Sequence, residues 1–339
     1  MQFFTAAKKE LLPTDAARRI FGLIREEMSL VEVEFERQVD SNVQVINYLG
    51  DYLRSSGGKR VRPALVVLAT YGAGGTGNSE SVLRLATVME MLHTATLVHD
   101  DIIDNAGLRR NRTSINARFG NQTAVLMGDW LYMSAFEASL KQRSLEILDI
   151  LTRLTRKMTE GELIQLTMIG KADISEDEYF DIVRRKTAYL FAACCEIGAI
   201  LARADLKTQT GLSDFGLNLG IAFQLADDLL DFTADESAIG KAAGADLLEG
   251  KVTLPLILLQ KRDPEVAGML RTVMLEGVFD EGTKAVVAGK MKAYGVLEEV
   301  RDRAGKFAEQ ARKNLEVLPV SEYSLALDAI PSYVIERNS

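Results

Sequence analysis

VLRLATVMEMLHTATLVHDDIIDN, residues 82–105, reads as a single long helix ending in three aspartates. Val82, Leu85, Ala86, Met89, Leu92 and Thr96 recur at three- and four-residue spacing, the period of a helix with one apolar face. Asp100, Asp101 and Asp104 follow as DDIID. The same DDxxD pattern returns 127 positions later in LGIAFQLADDLLDFT, residues 219–233, as Asp227, Asp228 and Asp231. Three carboxylates in an apolar helix are costly unless positive charge offsets them. Residues i and i+4 share a helix face, so Asp100 with Asp104, and Asp227 with Asp231, are expected to project as pairs. Hard oxygen donors of this kind suit Mg²⁺, which keeps several waters and takes its remaining ligands from phosphates. One DDxxD match is weak, because short motifs occur by chance. Two of them, each beside an apolar helical run, predict two magnesium-holding helix ends acting on one diphosphate.

Helical periodicity continues along the 339 residues. Ile20, Leu23, Ile24, Met28, Val31 and Phe35 predict one helix near the start. Of six prolines, Pro63, Pro255 and Pro264 stand at helix starts or connections. No two-residue hairpin signal, repeated alternating strand, low-complexity linker or solenoid repeat is visible. The expectation is an all-α chain forming one domain over residues 1–339. Gly72, Gly74 and Gly77 satisfy GxGxxG, but the segment opens behind Pro63 and lacks strand–helix alternation. It is read as a flexible helix–helix connection.

Apolar residues make up 47% and charged residues 26%, which excludes a disordered chain. A net charge of −8 argues against nucleic acid as the main partner. The two cysteines, Cys194 and Cys195, are adjacent in an apolar run, which fits a reducing cytoplasmic setting rather than a disulfide framework. The start lacks a secretory pattern, and the longest apolar runs, such as LPLILL, fall well short of the roughly 18 residues a membrane span needs. A transient membrane contact for product release remains compatible with this.

Basic residues gather where phosphate would be needed. LRRNR places Arg109, Arg110 and Arg112 just after the first motif and a helix-ending Gly107, and guanidinium forks match phosphate oxygens. GGKRVRP sets Lys59, Arg60 and Arg62 at a helix N-terminus, where the backbone already favours an anion. Lys241 and Lys251 flank Asp246 in GKAAGADLLEGKVTLP, after the second motif.

Together GGKRVRP, LVHDDIIDNAGLRR, RRKTAYLF, FQLADDLLD and GADLLEGKVTLP resemble the trans-isoprenyl diphosphate synthases, most closely their long-chain polyprenyl, octaprenyl-type branch. The resemblance spans roughly residues 45–260 and weakens toward the C-terminus. It implies the isoprenoid synthase fold: a single large all-α domain with long helices around a deep central active-site cavity, usually a homodimer, using Mg²⁺. It implies that Asp100, Asp104 and Asp227 ligate metal, with Asp101 and Asp228 beside them in the catalytic machinery. By the same likeness Arg109, Lys186, Thr187, Gln224 and Lys241 contact the allylic diphosphate. Lys59, Arg62, His93 and Arg110 hold isopentenyl diphosphate, and Lys251 lines the closed site. The implied reaction ionises the allylic diphosphate, condenses the cation with isopentenyl diphosphate and eliminates a proton. The departed diphosphate takes that proton, so the aspartates are expected to stay ionised. Lys186 and Gln224 are placed with the catalytic groups that stabilise the cation.

Competing readings are a short-chain farnesyl or geranylgeranyl synthase, a class I terpene cyclase and a non-catalytic synthase subunit. A cyclase needs only one diphosphate site, and a non-catalytic subunit predicts degraded aspartates. Alanine at 95 rather than an aromatic residue resembles the long-chain branch. At ~1.5 Å per residue, Thr96 stands ~6 Å and Leu92 ~12 Å below Asp100 on one helix face, so Ala95, Thr96 and Leu92 are the candidate chain-length wall. Arg337, near the C-terminus, is a candidate for closing over isopentenyl diphosphate.

Overall fold

A computed structural model describes residues 14–55, 57–58, 60–109, 112–233 and 244–336. Helices α1 (Thr14–Leu23), α2 (Arg25–Val39), α3 (Gln44–Ser55), α4 (Val61–Gly72) and α5 (Glu80–Ile103) come first. A short hairpin of β1 (Leu108–Arg109) and β2 (Arg112–Thr113) precedes α6 (Ile115–Phe119), α7 (Asn121–Leu140) and α8 (Leu145–Met168). Next are α9 (Glu176–Val183), a π-helical turn (Arg184–Ala188), α10 (Tyr189–Leu201) and α11 (Leu206–Thr233). The last are α12 (Ala245–Leu248), α13 (Leu254–Arg262), α14 (Val266–Glu276), α15 (Glu281–Ala293), α16 (Val296–Asn314) and α17 (Glu322–Glu336). The all-α expectation is met.

Local chemistry explains the starts. Ser79 accepts a hydrogen bond from the Val82 amide, and Ser175 with Glu178 forms a reciprocal capping box on α9. Asp280 accepts from the Gly282 and Thr283 amides, and Pro255 occupies the first turn of α13.

The described chain divides into two compact units, each made of three chain segments. One takes the described residues of Met1–Arg153, Ala193–Ser213 and Leu315–Ile330. Its centre is α4 and α5, which are buried nearly all round from Pro63 to Thr70 and from Leu85 to Leu92. Against α5 packs α7, presenting Ala124, Met127, Gly128, Leu131, Ala135 and Ala138 at helical spacing. The other unit takes the described residues of Leu154–Ala192, Asp214–Asn314 and Pro331–Ser339. Its core joins Tyr179 and Val183 of α9, Ile221, Leu225 and Leu229 of α11, Leu256 to Leu259 of α13, and Val300 of α16.

Three local expectations change. The helix expected through Ile20 to Phe35 breaks at Ile24, whose φ of −120° separates α1 from α2 while its side chain stays fully buried. Helix α5 closes at Asn105, at φ +50°, rather than at Gly107. The hairpin pairs Leu108 with Thr113 and Arg109 with Arg112 without any hairpin sequence signal. Contacts from elsewhere close it: Tyr52 donates to the Thr113 carbonyl at 2.6 Å, and the Ser114 amide donates to the Gly107 carbonyl at 3.1 Å.

The GxGxxG segment does connect two helices, α4 and α5, but it packs tightly instead of hanging loose. Gly74 sits at φ +86°, and a Cβ at Gly77 would stand 2.3 Å from the Tyr71 ring. Gly77→Ala is therefore expected to destabilise the chain by about 1–3 kcal/mol through overpacking. Gly107→Ala, where a Cβ meets nothing within 4 Å, is expected to stay within about 0.5 kcal/mol of the parent. Urea denaturation of both measures the difference, and equal stabilities would refute the packing role.

Candidate active site

Both aspartate motifs occupy the last turns of their helices, α5 and α11. That end carries the negative pole of the helix dipole, which disfavours each carboxylate by roughly 0.3–1 kcal/mol. Carboxylates clustered against that field need cations.

At the first motif the aspartates differ in environment. Asp101 is buried and accepts from Arg109 Nε at 2.7 Å and from a second guanidinium nitrogen. Asn116 donates to the Asp101 carbonyl at 2.9 Å. Asp100 and Asp104 keep partial exposure one turn apart, the Asp104 amide donating to the Asp100 carbonyl at 2.8 Å. Just upstream, His99 Nε2 lies 3.3 Å from Asp129 Oδ1 on α7. Only a glycine permits this approach, since a Cβ at Gly128 would stand 2.2 Å from that nitrogen. Farther up α5, Leu92 and Ala95 are fully buried, whereas His93 and Thr96 are half-buried.

The basic residues part company. Arg62 lies in the first turn of α4, partly exposed. Arg60 turns inward, its Nε 2.5 Å from Glu32 and Nη1 2.7 Å from Glu90, so its guanidinium is engaged by two carboxylates. Arg112 leaves the aspartates too, donating to Ser55 at 2.6 Å and lying over the Tyr52 ring at 4.7 Å. Lys59, Arg110, Lys241 and Arg337 lie outside the described residues.

The second motif divides its three carboxylates among different tasks. Asp227 is exposed on the last turns of α11. Asp231 accepts from the Ala245 amide at 3.0 Å, satisfying a donor in the first turn of α12. Asp228 is 2% exposed and accepts from Tyr179 Oη at 2.5 Å and Gln224 Nε2 at 2.9 Å. Thr187 Oγ1 in turn donates to Gln224 Oε1 at 2.8 Å. Burial, then the charge of Asp246, push Asp228 up to about 8 against the pull of these hydrogen bonds, with Asp227 adding to the rise. Lys251 Nζ donates to Glu249 at 2.8 Å, and its amide donates to the Asp246 carbonyl at 2.8 Å.

Lys186 and Thr187 sit in the π-helical turn, a local widening frequently found at functional sites. Lys186 Nζ contacts Glu162 at 2.5 Å and also Gln165 on α8. Gly161 lets α8 come this close, since a Cβ there would meet Arg185 Cβ at 2.6 Å.

The sequence model of the Polyprenyl synthetase family matches residues 43–288. The chain belongs to this family. Among relatives of this polyprenyl synthetase, the octaprenyl diphosphate synthase of Escherichia coli (strain K12) is 39% identical over 321 residues, covering 94% of this chain and 98% of that one. The all-trans-nonaprenyl-diphosphate synthase (geranyl-diphosphate specific) of Rhodobacter capsulatus is 36% identical, covering 95% and 98%. A polyprenyl synthase from Caulobacter crescentus CB15, crystallised with calcium and isoprenyl diphosphate, superposes with a TM-score of 0.89 at 35% identity, covering 95% of this chain and 98% of that one. The polyprenyl synthetase is accordingly a prenyltransferase of the long-chain polyprenyl diphosphate synthase kind, with the all-α isoprenoid synthase fold.

Sequence reasoning missed Tyr179, Glu162, Gln165 and Asn116, each of which orients a residue it did name. Only the glycines at 128 and 161, placed inside otherwise apolar or amphipathic helices, could have signalled close approach. Tyr179→Phe removes a donor from a buried carboxyl group, and is expected to lower stability by about 1–3 kcal/mol. Chemical denaturation checks it, and a variant as stable as the parent would mean the bond contributes nothing net.

Proposed function

We propose that the chain condenses isopentenyl diphosphate with an allylic diphosphate in trans, using Mg²⁺, and releases a polyprenyl diphosphate of six or more isoprene units. The observation that carries this is the pair of aspartate motifs at helix carboxyl ends, where the helix dipole disfavours anionic side chains and a cation beside them offsets that cost. The donor set, hard carboxylate oxygens, fits Mg²⁺. Asp100 and Asp104 of the first motif and Asp227 of the second would serve as metal ligands. When bound, the metal neutralises the leaving diphosphate.

The chain's own groups do the rest. Arg109 is oriented by Asp101 toward phosphate binding, and Lys186, set by Glu162 and Gln165, supplies a further cation. Loss of the allylic C–O bond leaves a cation stabilised by the dipoles of Thr187 and Gln224, themselves fixed through Asp228 and Tyr179. The isopentenyl double bond attacks that cation, forming the new C–C bond, and the released diphosphate takes the proton that restores the alkene. Lys59, Arg62, His93 and Arg110 hold isopentenyl diphosphate, while Lys241 completes the allylic site and Lys251 lines the closed site. A terpene cyclase would leave the first of these sets without a purpose.

The two units form one catalytic domain, since each consists of three separated segments and neither can be excised as a continuous stretch. A homodimer is the assembly we favour. Helix α7 exposes Leu126, Met133 and Leu140 at 69%, 63% and 50%, seven residues apart on one face, as a helix does for a partner. No helix among the described residues is long and apolar enough to cross a membrane. The buried free thiols of Cys194 and Cys195 support a cytoplasmic location.

Incubating the protein with Mg²⁺, labelled isopentenyl diphosphate and allylic primers of increasing length, then sizing the dephosphorylated products, tests the activity. Asp100→Ala, Asp104→Ala and Asp227→Ala are each expected to lower turnover about a hundredfold or more without unfolding the chain. A variant that keeps its circular dichroism spectrum and near-normal turnover would remove that aspartate from the metal clamp.

Chain length is expected to depend on the α5 wall. Ala95→Tyr or Thr96→Phe should shift products toward about three or four isoprene units while sparing the first condensation, because a larger side chain raises the floor without touching the aspartates. Unchanged long products from an active Ala95→Tyr enzyme would show that the tail runs elsewhere.

A further inference from the structure

Arg60 stands between two residues proposed to bind substrate, yet its own side chain is committed inward. It is the residue just before α4, at φ +50° and ψ +34°, a left-handed conformation that an L side chain adopts only at a cost. No side chain caps the helix there. What holds the conformation is the guanidinium. Nε and Nη2 fork onto the Glu32 carboxylate of α2 at 2.5 and 3.2 Å, and Nη1 reaches Glu90 of α5 at 2.7 Å. The group also lies 5.7 Å from the centroid of the Phe35 ring. Glu90 is only 4% exposed, so removing Arg60 would take the neighbouring cation away from a buried carboxylate.

The geometry of α5 gives the bridge a consequence. Glu90 and His93 are three residues apart, neighbours on one helical surface. Arg62 follows Arg60 by two residues in the first turn of α4. One guanidinium thus ties the turn that carries Arg62 to the turn that carries His93. Lysine would not reproduce this, because its donors radiate from one nitrogen and lack the planar, spread fork that meets Glu32 with one edge and Glu90 with another.

We propose that Arg60 is a positioning residue for isopentenyl diphosphate: it touches no substrate, but through Glu90 and Glu32 it sets the spacing between the start of α4 and the His93 turn of α5. This rests on the reading that Arg62 and His93 hold that diphosphate. Loss of the bridge then weakens isopentenyl diphosphate capture and leaves the allylic half of the reaction alone.

Steady-state kinetics with each substrate varied in turn test this on Arg60→Lys, Arg60→Gly, Glu90→Gln and, as the reference for the site itself, Arg62→Ala. Glycine accepts φ +50° without strain, so Arg60→Gly separates the guanidinium from the backbone it stabilises. Arg60→Lys, Arg60→Gly and Glu90→Gln are expected to raise KM for isopentenyl diphosphate roughly tenfold, with kcat and the allylic KM within about twofold of the parent. Should these variants fold poorly, Glu32→Gln, altering the more exposed arm of the bridge, is expected to raise the same KM by a smaller factor. If Arg62→Ala raises that KM and the Arg60 and Glu90 variants do not, the positioning role is overturned while the substrate site stands. If the variants impair both substrates equally, Arg60 is a general stabiliser and the proposal fails. If Arg62→Ala itself leaves the constant unchanged, the reading of the site fails and the inference with it.

Discussion

Aspartates at the carboxyl end of a helix face the negative pole of its dipole, and this chain places three of them there twice. Much of the neighbouring structure answers that charge. Around the first motif the hairpin brings Arg109 onto Asp101, Asn116 holds the Asp101 carbonyl, and the chain turns at Asn105 so that Asp104 closes the last turn. Around the second, one aspartate accepts an amide in the first turn of a short helix and another is sealed between Tyr179 and Gln224. Within each motif, then, the carboxylates differ in burial: Asp101 and Asp228 are buried, Asp100 and Asp104 are partly exposed and Asp227 is exposed.

Several charged side chains of the described residues are engaged with an opposite charge. Arg60 serves Glu90, Arg109 serves Asp101, and Lys186 meets Glu162. Breaking such a pair is more damaging than never having built it, because the abandoned partner stays in a poorly solvated place. The polar interior is therefore less tolerant of single substitutions than the apolar core, which accepts volume-conserving exchange. It also means that a basic residue within a phosphate-binding motif need not bind phosphate.

The helices and the acidic motifs were legible in the sequence because they follow from periodicity and spacing, whereas Lys186, Thr187 and Gln224 were reached only through the family resemblance. What stayed hidden depends on long-range partners. Nothing in the residue chemistry of GGKRVRP shows that Arg60 pairs with Glu32 and Glu90, because both carboxylates come from other helices. DDLLD gives no sign that the amide of Ala245, fourteen residues on, donates to Asp231. The π-helical turn at Arg184–Ala188 inserts one residue into an otherwise regular helix, which no hydrophobic pattern in RRKTA announces. The hairpin at 108–113 lacks turn chemistry and closes through Tyr52 and Ser114.

The interrupted course of the chain has a consequence for biosynthesis. The unit begun by Met1–Arg153 is completed only by Ala193–Ser213 and Leu315–Ile330. Tyr71 of α4 stacks at 4.3 Å on Tyr323, and a Cβ at Gly72 would meet Leu327 at 3.2 Å. At about 5–20 residues per second, the ribosome leaves α4 waiting roughly 13–50 s for these partners. During that interval an apolar surface meant for the interior is uncovered on a nascent chain. Holdase chaperones, rather than early self-completion, are then the natural guardians of the first five helices, and translation speed becomes a determinant of yield.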